Sequence, residues 1–423
     1  MKKKWNMVSL EQLGKITSSK RIFKSEYVDA GIPFYRTKEI KELANGRKIS
    51  TELYISKDRF NEINRKFGAP AIGDLLITAI GTIGEIYVVD NTNFYFKDGN
   101  VLWLRDFRDI DPYFLKYSLM AFVDELNGIS HGSAYQALPI EKLNKHKIPK
   151  PSLPEQKRIV AILDEAFEGI DRAIANTEKN LANSRELFES YLNAIFTQKG
   201  YGWLEKKLEN ICSIKHGFAF KGEFFTAEKS DYILLTPGSF YESGGYRDQG
   251  DKTKYYIGEI PDGFILKKGD FLFAMTEQAV GLLGSSLIVP ESDKFLHNQR
   301  LGLVQVTDGF EWHNDFFFHQ FNTQKFRSAV QSSASGVKVR HTSPKKLGAI
   351  SVYFPPNIAE QKVCADTLNE LYAETQRLET IFRQKIAALN ELKQSILQKA
   401  FTGELTADTA NQVTKAAKEG IAA

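Results

Sequence analysis

The sequence predicts an α+β protein: two tandem mixed α/β domains separated by two long helices that form an antiparallel coiled coil, arranged as a pseudo-twofold internal repeat. Three observations predict it. A stretch of 43 residues recurs at an offset of 205 positions. Both copies carry a heptad pattern. Each copy follows a long segment of short β-rich runs separated by turn residues.

The repeat is clear in the alignment of residues 155–197 on 360–402, which runs without a gap. Thirteen of its 43 pairs are identical, among them Glu155/Glu360, Gln156/Gln361, Leu163/Leu368, Leu187/Leu392, Leu192/Leu397, Phe196/Phe401 and Thr197/Thr402. Chance would give about two or three. The preceding segments match loosely: Gly73-Asp74-Leu75-Leu76 with Gly269-Asp270-Phe271-Leu272, and Gly132, Leu143 and Pro151 with Gly336, Leu347 and Pro355. Two matched segments and two diverged ones imply one shared task and two related but different ones.

The matched segments read as helices. Ser152-Leu153-Pro154-Glu155 and Asn357-Ile358-Ala359-Glu360 both fit a capping box, and preceding prolines hold the entry extended. No proline or glycine interrupts the second helix before Gly403, and the first holds only Gly169 before Gly200. At ~1.5 Å per residue each helix is roughly 65 Å long. Steps of three and four connect Ile170, Ile174, Thr177, Leu181, Ser184, Phe188, Tyr191 and Ile195 in the first. The second runs through Leu368, Leu371, Thr375, Leu378, Phe382, Lys385, Leu389, Leu392 and Ile396. Two readings are open: each helix packs on its own domain, or the two pack on each other. Ile170, Leu181, Phe188, Ile195, Leu378, Leu389, Leu392 and Ile396 are the expected coiled-coil contacts. The pattern does not fix orientation, but a pseudo-twofold pairing of tandem repeats makes it antiparallel.

The diverged segments read as mixed α/β. Short runs (75–77, 85–89, 100–104; 271–274, 286–289, 301–306) lie between Gly, Asp and Asn turns, and aromatic helical stretches follow at 111–126 and 314–331. The expected domains are 1–150 and 200–355, the helices 151–199 and 356–403, and 404–423 a loose tail.

Composition narrows the functions. The chain has 423 residues, 42% apolar and 26% charged, which excludes collagen-like, mucin-like and wholly disordered classes. No apolar run approaches the ~20 residues of a membrane span, and no apolar segment follows Lys2–Lys4, so a cytoplasmic chain with no membrane partner is expected. Two cysteines, Cys212 and Cys364, are too few for a disulfide framework or a cysteine-rich metal site. Net charge is +4, unevenly spread: residues 1–150 carry 24 Lys/Arg against 18 Asp/Glu, whereas 151–199 carry 6 against 8. Basic globular segments on acidic helices suit a polyanion partner.

Catalytic motifs are missing. There is no GxxxxGK[ST] loop. Asp164-Glu165-Ala166-Phe167 lies inside the heptad helix, and Phe354-Pro355-Pro356-Asn357 inverts the order of an amino-methyltransferase motif. Pro261-Asp262 with Lys267 lacks the second acid of a metal-dependent nuclease. His313, His319 and His341 are not at ligand spacing, and His216 and His297 read as structural. The expectation is a chain that binds and does not catalyse, with no catalytic residue, metal or cofactor of its own.

In this layout the chain resembles the specificity subunit of type I restriction–modification enzymes. The resemblance rests on ordered features that occur twice. These are Gly73-Asp74-Leu75-Leu76 and Gly269-Asp270-Phe271-Leu272, glycine-bearing loops at 78–84 and 276–284, and Gly-Ser loops at 132–136 and 335–338. Ile148-Pro149-Lys150-Pro151 through Gln156 and Val352-Tyr353-Phe354-Pro355 through Gln361 complete each copy, and Ser395–Leu405 ends the series. The resemblance implies two target-recognition domains, each reading half of a bipartite, asymmetric double-stranded DNA target, with the helices as spacer. It also implies two methyltransferase (modification) subunits that use S-adenosylmethionine to methylate adenine, and restriction subunits that use ATP and Mg. The alternative is a coiled-coil scaffold whose two globular domains bind ligands other than DNA.

Candidate DNA contacts follow from residue chemistry: Arg and Lys suit phosphate and guanine, Asn and Gln suit adenine. In the first domain they are Arg36, Lys38, Arg47, Lys48, Lys57 and Arg59, with Thr78, Ser133, Tyr135 and Gln136 in the loops. In the second they are Arg247, Lys252, Lys254, Thr276, Gln278, Lys338, Arg340 and His341.

Overall fold

A computed structural model describes residues 5–49, 51–80, 83–91, 93–121, 138–278 and 281–405. The chain divides into two compact units, Met1–Glu178 with Gln384–Ala423, and Lys179–Arg383. Each long helix is cut by this division, because each unit combines one globular domain with one half of each helix.

The first unit begins with β1 (Asn6–Ser9), α1 (Leu10–Leu13), β2 (Lys15–Ser18), β3 (Tyr27–Val28) and β4 (Ile32–Tyr35). Then come α2 (Thr37–Ala44), β5 (Tyr54–Ile55), α3 (Lys57–Phe67), β6 (Leu75–Thr78), β7 (Ile86–Val88), β8 (Tyr95–Phe96) and β9 (Val101–Arg105). After α4 (Pro112–Ala121), α5 (Ile140–Lys145) and β10 (Lys147–Lys150), the first long helix α6 runs Leu153–Gln198. Four strands in the order β2-β9-β6-β7 form one sheet, and β3-β5-β4-β8 a second. β1 pairs with β10, so the two ends of the domain meet where α6 leaves it.

The second unit repeats this topology. Its strands are β11 (Leu204–Lys207), β12 (Cys212–His216), β13 (Phe225–Thr226), β14 (Tyr232–Leu234), β15 (Tyr255–Tyr256), β16 (Phe271–Ala274), β17 (Thr276–Glu277), β18 (Ser286–Ile288), β19 (Phe295–Leu296) and β20 (Leu301–Val306). α7 (Asn314–Phe321), α8 (Gln324–Ser333), β21 (Arg340–His341), α9 (Pro344–Gly348), β22 (Ser351–Phe354) and the second long helix α10 (Ile358–Phe401) follow. The sheets are β12-β20-β16-β18 and β13-β15-β14-β19, matching the first unit strand for strand, and β11 pairs with β22 as β1 does with β10. Thus the repeat extends through the diverged domains. Gly73 and Gly269 hold the left-handed φ (90° and 89°) that turns the chain into β6 and β16. The helical stretch expected at 314–331 is broken at Asn322, and the Thr323 side chain accepts from the Phe326 amide to start α8.

The long helices are tied to the domains by residues the repeat keeps identical. Gln156 is fully buried, accepts from the Asp111 amide (2.7 Å) and donates to the Asp109 (3.2 Å) and Pro151 (2.9 Å) carbonyls. Gln361, equally buried, accepts from the His313 amide (3.0 Å) and donates to the Glu311 (3.0 Å) and Pro355 (3.1 Å) carbonyls. Each glutamine thereby pins a helix start to the loop before α4 or α7. The expected cap of the second helix is only partly seen: Asn357 accepts from the Ala359 amide (2.8 Å), and Glu311, remote in sequence, accepts from the Ile358 amide (2.8 Å).

The helix ends dock differently. In the first unit Phe401, from the end of α10, packs edge-on against Phe114 of α4 (5.2 Å between ring centres). In the second, Phe196, from the end of α6, packs against Phe316 of α7 (5.3 Å). Burying each phenylalanine contributes roughly 2–3 kcal/mol. Both open readings of the helices therefore hold: their ends pack on the domains, and they pair with each other. In each unit the start of one helix lies with the end of the other, so the pair is antiparallel.

Within the first unit Lys393 donates to Asp171 (2.7 Å) and lies over the Phe167 ring. Within the second, Arg185 makes two 2.8 Å bonds to Glu379, whose acidity this bonding increases, and Phe188 meets Tyr372. Ile170, Leu389 and Ile396 are buried and Leu181, Phe188, Ile195 and Leu378 half-buried. The expected seam fails at Leu392, and likewise at Tyr191 and Leu371, which are 36%, 43% and 38% exposed. Straight helices drift from a seven-residue repeat, which moves Leu192, Tyr372 and Lys393 inward in their place. Among the described residues, no helix is long and apolar enough to cross a membrane.

Two predictions follow from this packing. Replacing Gln361 by Leu strands a buried amide and two carbonyls, and we expect a loss of about 2–3 kcal/mol in urea unfolding. His297 is fully buried with Nε2 against the Leu301 carbonyl (3.0 Å), and burial pushes its pKa down to about 4. The unfolded imidazole takes up its proton near pH ~6.5, so the unfolded chain binds more protons between these values. Stability is therefore complete above that range and falls as pH drops toward 4. The urea midpoint should decline from pH 7 to 5, less steeply in His297→Gln.

Candidate nucleic-acid interface

Some of the charged candidates gather on one topological feature in each unit: Arg36, Lys38, Arg47 and Lys48 on the connection from β4 to β5, residues 36–53, and Arg247, Lys252 and Lys254 on that from β14 to β15, residues 235–254. Lys57 and Arg59 instead stand at the start of α3. Arg36 stands at the start of α2, where its guanidinium donates to Glu39 (2.7 Å) and Glu52 (2.8 Å), bonds that raise its pKa. Arg59 pairs with Glu26 (2.6 Å) and Glu62 (2.8 Å). Both arginines brace the domain through carboxylates, so their charge is locally neutralised. Lys38 lies 3.8 Å from Glu52 and is mostly exposed. Arg47, Lys48 and Lys57 are exposed and have no side-chain partner among the described residues. In the second unit Arg247, Lys252 and Lys254 are exposed in the same way. The Arg247 amide donates to Ser239 (2.8 Å), which fixes the turn that displays its side chain.

This connection abuts the loop after β6 in the first unit and that after β16 in the second. Asn45 donates to Glu85 (3.0 Å), and Lys41 lies 3.6 Å from the same carboxylate. In the second unit the Ser285 hydroxyl donates to the Tyr241 carbonyl (2.6 Å), and the Gly245 amide to that of Ser286 (2.8 Å). Thr78, expected in the first of these loops, instead ends β6, is fully buried, and accepts from the Glu85 amide (3.1 Å). Its strand position turns it into the core, away from any surface a duplex could reach. Ser133, Tyr135 and Gln136 lie outside the described residues.

The second unit brings together the remaining candidates. β17 pairs antiparallel with β21, Thr276 opposite His341 and Glu277 opposite Arg340. Ser335 bridges His341 on its other side, through amide–carbonyl bonds of 3.0 and 2.9 Å. Gln278, Lys338 and His341 are exposed, and Thr276 is half-buried. Arg340 turns inward: it donates to the Gln331 carbonyl (2.6 Å) and side chain and lies 3.4 Å from Glu277. Arg340 thus acts as a brace within the domain.

Glu277 was not apparent from the sequence. It is 3% exposed and accepts from the Gly281 (3.0 Å) and Leu283 (2.8 Å) amides. Nearby, Arg327 donates to the Gly281 carbonyl, and burial lowers its pKa to about 10 against the opposing pull of Glu277 and Glu242. These partners are about fifty or more positions from Arg327 or Arg340 along the chain, so no local pattern announces them.

Two domains of one topology, each with a cationic connection beside a strand loop and each packed on parts of two long helices, define a class: a tandem-repeat protein built on a pair of long helices. The comparisons place it further. The type I restriction modification DNA specificity domain matches residues 2–182 and 201–388. The chain therefore belongs to the family of type I restriction–modification specificity subunits. It is 34% identical over 193 residues to a putative type I restriction enzyme specificity subunit of Haemophilus influenzae, covering 44% of this chain and 48% of that one. It is 28% identical over 237 residues to the EcoBI specificity subunit of Escherichia coli, covering 55% of this chain and 46% of that one. The matches thus span about half the length of these two relatives. A putative MjaX specificity subunit of Methanocaldococcus jannaschii is 22% identical over 424 residues, 96% of this chain and 94% of that one. Among solved structures, a chain from a study of type I R-M complex assembly and conformational transition superposes with a TM-score of 0.74 at 17% identity, covering 95% of this chain and 98% of that one. The HsdS subunit of Thermoanaerobacter tengcongensis gives 0.56 at 18%, covering 95% and 97%. These structural matches share the fold.

Proposed function

We propose that this chain is the sequence-reading subunit of a type I restriction–modification enzyme and contributes no catalysis of its own. Each globular domain reads one half of a bipartite, asymmetric DNA target. The observation that carries this reading is the pair of topologically equal domains, each presenting exposed cations on the equivalent strand connection, beside different loop residues. Exposed Arg47, Lys48 and Lys57, and Arg247, Lys252 and Lys254, suit phosphates, which position a domain without reading sequence. Divergent loops suit different bases.

The family membership extends the proposal to partners. Two modification subunits bind the nearly equivalent helical segments, hold S-adenosylmethionine and methylate adenine in each half-site. Restriction subunits, where present, bring ATP and Mg. The working location is the cytoplasm, where the chromosome is. B-DNA repeats about every 34 Å, so readers on one face of a duplex need a fixed separation, which paired helices supply better than a flexible linker.

The test is an exchange of domains. Replacing residues 5–150 by the corresponding segment of another family member should change one half of the methylated motif and leave the other intact, as read by methylome sequencing. A change in both halves would contradict independent readers.

A further inference from the structure

The small ribbon in the second unit has two unlike faces. Side chains alternate across a strand, so Glu277 and Arg340 share one face, and Thr276 and His341 share the other. The first face turns into the network with Gln331. The second is open at His341, and at the end of the ribbon Gln278 is exposed and Val339 is 43% exposed, an apolar side chain left in water. Gln278 follows and Val339 precedes the Glu277–Arg340 pair, so both stand at the same end of the ribbon.

The turn that carries Val339 is held rigidly. Gly336 has φ of +97°, and a Cβ there would lie 2.1 Å from the Val339 carbonyl oxygen. Ser335 and His341 join through their backbones, and through a 3.0 Å contact between hydroxyl and Nε2. Lys346 donates to the same hydroxyl (3.2 Å). On the other side, Glu277 fixes the amides of Gly281 and Leu283. A buried carboxylate, satisfied by two amides and facing an arginine, holds both edges of the ribbon in one shape.

The major groove of DNA admits a two-stranded ribbon. There an A·T pair presents an acceptor and a donor on adenine beside the methyl group of thymine. A glutamine amide matches the first, and an apolar side chain the second. Resting on the DNA-reading function above, we infer that the β17–β21 ribbon reads an A·T pair in the second half-site. Gln278 bonds to the adenine edge, Val339 packs on the thymine methyl, and Glu277 is the positioning residue behind them. Lys338 and the fully exposed Val337 form the leading turn, where the lysine meets phosphate.

The experiment uses the complete methyltransferase assembly carrying wild-type chain, Gln278→Ala, Val339→Ala or Glu277→Gln, with methylome sequencing and binding to duplexes in which single thymines are replaced by deoxyuridine. Gln278 and Val339 are surface residues, so their variants keep the fold. Gln278→Ala should lower discrimination at one A·T position of the second half-site about tenfold and leave the first half unchanged. Wild type should bind the matching deoxyuridine duplex severalfold more weakly, and Val339→Ala should bind both duplexes equally. Glu277→Gln should broaden more than one position of that half. A Gln278→Ala motif identical to wild type, or altered in the first half, overturns the inference and leaves the DNA-reading function standing. A wild-type assembly whose methylation shows no bipartite motif overturns both.

Discussion

The structure depends on a reciprocal grip. Each domain is held by the start of one long helix, through a buried glutamine, and by the end of the other, through a buried phenylalanine. Gln156 and Gln361 satisfy amides and carbonyls that would otherwise be stranded in the core, so each helix leaves its domain in one direction. Phe196 and Phe401 then require the opposite end of the other helix at the same domain. Two chain segments meeting these conditions twice can only run antiparallel. The residues that carry the grip are the ones the internal repeat keeps identical, which gives the repeat a mechanical meaning.

Along the helices, specificity of pairing rests on a few polar contacts inside each unit. Arg185 with Glu379, and Lys393 with Asp171, occur at positions that the repeat does not equate. Exposed ion pairs add little stability, but a charge placed near a helical seam selects one register over its neighbours. Glu379, 7% exposed and bonded to both Arg185 and Arg383, is the most constrained of these groups.

Much of this was legible in the sequence because it is periodic or repeated. The long helices, their pairing and the strands at 75–78, 271–274 and 301–306 rest on patterns that extend over many residues. The second sheet of each domain was not legible, since its strands have two to four residues and too little alternation to read. The seam was misplaced at Leu392 because helical drift accumulates over forty residues. Gln156 and Gln361 stood out as identities, yet their role needed partners some fifty positions away. Charge type alone also could not separate Arg47, which faces solvent, from Arg36, Arg59 and Arg340, which are claimed by carboxylates or amides. Burial of Thr78 reversed an expectation drawn from a neighbouring glycine.

The domains diverge in their loops and agree in the residues that grip the helices. Under the proposed DNA-reading function, the length of the helix pair sets the gap between the half-sites. Inserting one heptad in register after Glu178 and another after Arg383 lengthens both helices together, by roughly 10 Å. The account predicts a methylated motif with both half-sites intact and a gap longer by about three base pairs. An unchanged gap, from an assembly that still methylates, would contradict it.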